Sequence, residues 1–160
     1  MITRNLHNYL MQRLANANCV FKTRSGSEYT WSTDSMYMWA SMEYLSTNLN
    51  SQSNGHLGRT LRIGSGTTSP SYDDYDLGSM IDAAPKNITS ARRTAYDTNY
   101  DIVTSVFLNE TDSDWIVTEV GLYISSPNTT SDTALLLARE VFDPVTVKPG
   151  QTFSVSMKLF

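Results

Sequence analysis

A chain of 160 residues that is 40% hydrophobic can bury one core, and its charged fraction of only 18% leaves the surface largely to Ser, Thr and Asn. The formal net charge of −4 argues against a nucleic-acid binder, which needs clustered Lys and Arg to neutralise phosphates. The single cysteine, Cys19, excludes a disulfide framework and a cysteine-based zinc site, and His7 and His56 lack metal-ligand spacing.

Residues 3–15 predict an amphipathic helix. Thr3 stands at the N-cap position, and Leu6, Tyr9, Leu10, Arg13 and Leu14 recur at helical spacing. Such a stripe packs on its own domain or docks to a neighbouring subunit, which makes Leu6 and Leu10 interface candidates. Residues 18–24 and 27–32 predict a hairpin turning at Ser25-Gly26. The segment 36–49 then reads as a strand followed by a short helix. Its density of Met and aromatic residues suits a core if buried and an interface if exposed, with Tyr37, Met38, Trp39 and Tyr44 as the contact candidates. Residues 46–58 are polar, and Asn54-Gly55 marks a turn.

From Thr60 the pattern changes. Leu61-Arg62-Ile63 is a short strand, and Gly64-Ser65-Gly66 opens a polar loop. The loop lacks both GxGxxG and the P-loop Lys, so it reads as a turn that needs positive φ rather than a nucleotide cradle. Asp73, Asp74 and Asp76 miss the spacing of a calcium loop and read as a capped turn anchored by Tyr72, Tyr75 and Leu77. Arg92 and Arg93, an adjacent basic pair, read as a solvated loop.

Strands are expected at 100–108, 115–124, 133–142, 144–148 and 151–160, joined by turn-forming residues such as Pro149-Gly150. In the last strand Phe153, Val155, Met157 and Leu159 face one way, and Thr152, Ser154, Ser156 and Lys158 the other. That strand runs to the final residue, which predicts a scaffold rather than an appended catalytic loop. Gly121, inside a strand, predicts a bulge or a close backbone approach. The fold expected is mainly β, an antiparallel β-sandwich or small barrel with a short N-terminal α-helix. Residues 1–59 would hold the helix, hairpin and docking segment, and residues 60–160 the sandwich.

No apolar run is long enough to span a bilayer, and the opening residues lack the apolar core of a signal peptide. The sequons at Asn87, Asn109 and Asn128 therefore read as turn chemistry rather than glycan acceptors. GxSxG, HExxH and CxxC are all missing. Glu119 and Glu140 offer the sharpest enzymatic possibility, a carboxylate pair for glycoside hydrolysis. Against it, each can point outward or bond backbone groups at a turn. No catalytic residue, cofactor or metal is expected.

Ile63 to Leu77, with its Gly-Ser-Gly-Thr-Thr run, Pro70 and Asp73-Asp74-Tyr75, resembles a stretch of small virion proteins of tailed bacteriophages. Glu119-Val120-Gly121-Leu122, Leu136-Leu137-Ala138-Arg139 and the Val145 to Gly150 hairpin resemble later strands of the same family, and the Glu-x-Gly-Leu arrangement is similar to that of tail-collar and fibre-attachment modules. The likeness covers roughly residues 60–160. It implies a non-enzymatic structural subunit, assembled in the host bacterial cytoplasm and placed in the virion. The implied role is a tail, collar or fibre-attachment protein, a homo-oligomer that contacts other virion proteins and neither nucleic acid nor membrane. A capsid decoration or head-fibre protein is the near alternative. A carbohydrate-binding module is the distant one, with Trp31, Trp39, Tyr72, Tyr75 or Trp115 stacking on sugars and Asp73 or Asp74 bonding hydroxyls.

Overall fold

A computed structural model describes residues 1–15, 18–31, 58–81, 86–87, 90–93, 101–125 and 134–158. Among them lie one helix, α1 (Arg4–Ala15), and the strands β1 (Cys19–Lys22), β2 (Glu28–Trp31), β3 (Gly58–Gly64), β4 (Lys86–Asn87), β5 (Ser90–Arg93), β6 (Asp101–Leu108), β7 (Trp115–Ser125), β8 (Leu135–Val147) and β9 (Thr152–Lys158). All the pairings are antiparallel. β1 and β2 form a hairpin, β4-β3-β7-β8 a four-stranded sheet and β5-β6-β9 a three-stranded one. Leu61, Ile63, Val117, Val120 and Leu122 from the larger sheet share a core with Val103, Phe107, Val155 and Met157 from the smaller. The molecule is an antiparallel β-sandwich with a short N-terminal helix, and no barrel closes among the described residues.

Period-two burial explains why the strands pack this way. In β9, Val155 and Met157 are buried while Thr152, Ser154 and Ser156 are exposed. Burying side chains such as Phe107 and Met157 stabilises the fold by about 1.5–3 kcal/mol each. α1 and the hairpin add Leu6, Tyr9 and Phe21 to the same core. The hairpin turns at Gly26, whose φ of 81° favours glycine. Thr3 precedes α1, but its hydroxyl donates to the carbonyls of Leu136 and Leu137 (2.6 and 3.1 Å) instead of accepting from the first turn. The hydroxyl ties the helix to β8, and the Arg4 amide finds its acceptor in the Tyr72 carbonyl at 2.7 Å.

Three expectations need correction. Residues 133–142 and 144–148 were to be separate strands, yet β8 runs unbroken from Leu135 to Val147 through Pro144. Pro144 is tolerated because β8 is an edge strand and the register with β7 shifts beside it, between Val117 and Glu119. Arg92 and Arg93 lie in β5, opposite Ile102 and Asp101, and not in a loop. Gly64 and Gly66 do not adopt positive φ; among the described residues Gly26 and Gly150 do. The reason for glycine at 64 and 66 is a close approach, described below. The segment 36–49 and the turn at Asn54-Gly55 lie outside the described residues.

Candidate functional site

From Val117 onward β7 is buried on both faces, because the loop before it covers the side turned away from the sandwich. Val117 and Val120 both enter the sandwich core, three residues apart instead of two, so the strand changes phase between them. Beyond that point Val120, Leu122 and Ile124 face the sandwich. Glu119, Gly121 and Tyr123 face the loop that runs from Ser65 to Met80. The loop is closed at its neck by the Gly64–Met80 bridge, the Ser65 amide on the Ser79 carbonyl (2.7 Å) and the Ile81 amide on the Ile63 carbonyl (3.1 Å).

Glu119 is 0% exposed and sits at the centre of this arrangement. Its Oε1 accepts the amides of Gly66 (2.8 Å) and Ser79 (2.9 Å), and its Oε2 accepts the amide of Gly78 (3.0 Å) and the Arg139 Nε (2.8 Å). Arg139, 2% exposed, donates onward to Asp74 Oδ2 at 2.8 Å and to the Thr68 carbonyl at 3.1 Å. Burial opposes the charge on Arg139, but Asp74 and Glu119 outweigh it and raise the guanidinium's pKa. A buried carboxylate survives only when paired and hydrogen-bonded, and this one has all its partners. A Cβ at Gly66 would lie 2.5 Å from Oε1, and one at Gly64 2.8 Å from the Glu119 Cγ. Those glycines exist so that the loop backbone can reach the carboxylate. The loop does cradle an anion, and the anion is the chain's own side chain.

A second knot lies alongside. The Tyr123 hydroxyl donates to Asp76 Oδ1 (2.6 Å) and accepts the Leu77 amide (3.0 Å). Burial first, and the bond to Asp76 next, push the phenol's pKa well above its usual value. Leu77, Tyr123, Ala134 and Leu136 form a small separate core here. A Cβ at Gly121 would lie 2.8–2.9 Å from Tyr123, Leu136 and Leu77, so this glycine answers to a close approach rather than to a bulge at its own position.

The three aspartates of the loop diverge. Asp73 pairs with Arg4, Asp74 with Arg139 and Asp76 with Arg24. Among the described residues no group of three His, Cys, Asp or Glu side chains is placed to hold a metal ion. Glu119 and Glu140 are not brought together as a pair of working carboxylates: Glu140 is exposed, and Glu119 is spent on Arg139 and loop amides. Trp115 is core. Tyr72 is exposed, but the Arg4 guanidinium lies 5.2 Å from its ring centre, and Lys22 Nζ lies 4.1 Å from that of Tyr75. Leu6 belongs to the chain's own core, whereas Leu10 is 40% exposed. Tyr37, Met38, Trp39 and Tyr44 lie outside the described residues.

An open cleft of about 450 Å³ separates α1 from β1 and the Asp73-Asp74 turn. Its polar groups largely serve one another. Asn5 exchanges two bonds with the Lys22 main chain (2.8 and 2.9 Å), Asn8 donates to the Val20 carbonyl, and Arg4 holds Asp73.

Sequence reasoning missed the role of Arg139. An arginine directly after the apolar run Leu135-Leu136-Leu137-Ala138 is the available signal, because a charge in a buried strand needs a carboxylate. No family model, curated protein sequence or solved structure gives a significant match to this chain.

Proposed function

We propose that this protein is a non-enzymatic structural subunit of a tailed-bacteriophage virion, a tail, collar or fibre-attachment component acting through protein–protein contacts. The observation that carries the reading is how the stretches that resemble the phage family meet. Gly66, Asp74 and Gly78 belong to the first stretch or adjoin it, Glu119 opens the second and Arg139 closes the third, and all five join in one hydrogen-bonded knot. Residues spent in this way hold a fold together. A carboxylate enclosed by four donors has no free oxygen to offer a substrate, which favours a scaffold over a hydrolase.

Specific antibody labelling of purified phage particles tests the proposal. Label at the tail or neck is expected, and label spread over the head would move the protein to capsid decoration or head fibre. Its absence from particles in which other virion proteins are detected would overturn the structural role. The docking surface belongs to Leu10 and the Tyr37, Met38, Trp39 and Tyr44 segment. Trp39→Ala is expected to impair incorporation into particles more than it lowers the melting temperature, and equal losses would make Trp39 a core residue.

A further inference from the structure

The two sheets end side by side in edge strands, β8 and β9, which are treated very differently. Exposed edges invite another strand, and proteins blunt them with proline, charge, bulges or a covering segment. β8 carries every one of these. The N-terminal segment covers its first half: the Thr3 amide donates to the Leu137 carbonyl, the Arg139 amide donates to the Met1 carbonyl, and Ile2 bridges Ala138. Its second half has Glu140, Asp143, Pro144 and a register shift. Among the described residues, β9 has none of them from Thr152 to Met157. It pairs with β6 residue for residue, Leu108 to Thr152 through Ile102 to Lys158, and its other edge has no strand among the described residues.

We infer that the free edge of β9 is a docking site for β9 of a second copy of this chain, paired antiparallel about a two-fold axis through Val155. The strand's own polarity selects that occupant. In this register Phe153 lies opposite Met157 of the partner subunit, Val155 opposite Val155 of the partner subunit, and Ser154 opposite Ser156 of the partner subunit. Apolar meets apolar on the core side, hydroxyl meets hydroxyl on the outer side, and Lys158 falls opposite Thr152 of the partner subunit, so no like charges are opposed. The interface is isologous, as a two-fold pair requires, and joins the two three-stranded sheets into one of six. It also covers the half-buried Phe142–Phe153 stack, whose ring centres are 6.4 Å apart, at the mouth between the sheets. This inference stands on the strand and not on a place in the virion, so it can fail while particle labelling succeeds, and the reverse.

Sedimentation of the full chain tests it with a charge swap on the exposed outer face. Wild type is expected to dimerise with rising concentration. Ser154→Lys/Ser156→Lys and Ser154→Glu/Ser156→Glu each oppose two like-charged pairs, and each is expected to weaken the dimer by about tenfold. Mixing the two variants is expected to restore dimers, a result that requires the outer faces of the two β9 strands to meet. A wild type that stays monomeric at its highest soluble concentration, or a dimer indifferent to both variants, overturns the proposal. Should the variants misfold, hydrogen exchange on wild type decides: β9 amides whose protection rises with concentration support it, and concentration-independent protection overturns it.

Discussion

The two faces of the four-stranded sheet are buried by different means. The face towards β5-β6-β9 is closed by Val117, Val120 and Leu122 against Phe107, Val155 and Met157, contacts that ask only for apolar volume. The face towards the Ser65–Met80 loop is closed by Glu119, Arg139 and Tyr123, whose bonds ask for particular atoms at particular places. Polar burial costs desolvation that only complete pairing returns. The first face should therefore yield gradually to substitution, and the second should fail at once.

Glu119→Ala gives the largest effect, since it leaves the Arg139 Nε and the amides of Gly66, Gly78 and Ser79 without their acceptor. Urea unfolding should show a loss of about 3–5 kcal/mol. The comparison is sharpest between near-isosteric changes. Glu119→Gln, which alters almost no volume, should cost more than Leu122→Met, expected at under about 1.5 kcal/mol. The reverse order would erase the distinction between the faces. Gly66→Ala drives a Cβ towards Oε1 and should cost about 1–3 kcal/mol in the same assay.

Tyr123→Phe should cost about 0.5–1.5 kcal/mol at neutral pH by removing the hydroxyl between Asp76 and the Leu77 amide, an amide that keeps its bond to Asp76 Oδ1 at 2.9 Å. Its pH dependence separates hydroxyl from volume. The folded phenol has a raised pKa, so its contribution is fully present below the unfolded value of about 10 and is lost as pH rises above it. Wild-type stability should fall above that pH more steeply than that of the Phe variant, and parallel curves would remove Tyr123 as the cause. At the small end, Arg4→Ala breaks an ion pair whose side chains are both more than half exposed. It should change stability by no more than about 1 kcal/mol.

The apolar face was legible in the sequence, and the polar one only in fragments. Alternation in β9 and the turn residues around Gly150 announced the sandwich, because a period of two is written residue by residue. The Glu119 partners are amides about 40 and 53 positions away in sequence, and a backbone N–H looks the same at every residue. Gly64 and Gly66 were visible as special, yet their reason is the nearness of a side chain from another strand rather than their own torsions. The expected break between residues 142 and 144 is absent because a strand can pass through Pro144 at an edge beside an irregularity.

Asn109 carries one more consequence. It is 0% exposed; its Nδ2 donates to the carbonyls of Ser113 and Val147, both at 2.8 Å, and its Oδ1 accepts from the amide and hydroxyl of Thr111. The sequon Asn109-Glu110-Thr111 thus spends the very nitrogen that a glycosyl transfer would need. Were the gene expressed through a eukaryotic secretory pathway, a sugar on Asn109 would mark molecules modified before the corner closed. Its occupancy would then serve as a clock for how fast the β6–β7 turn and the β8–β9 hairpin come together.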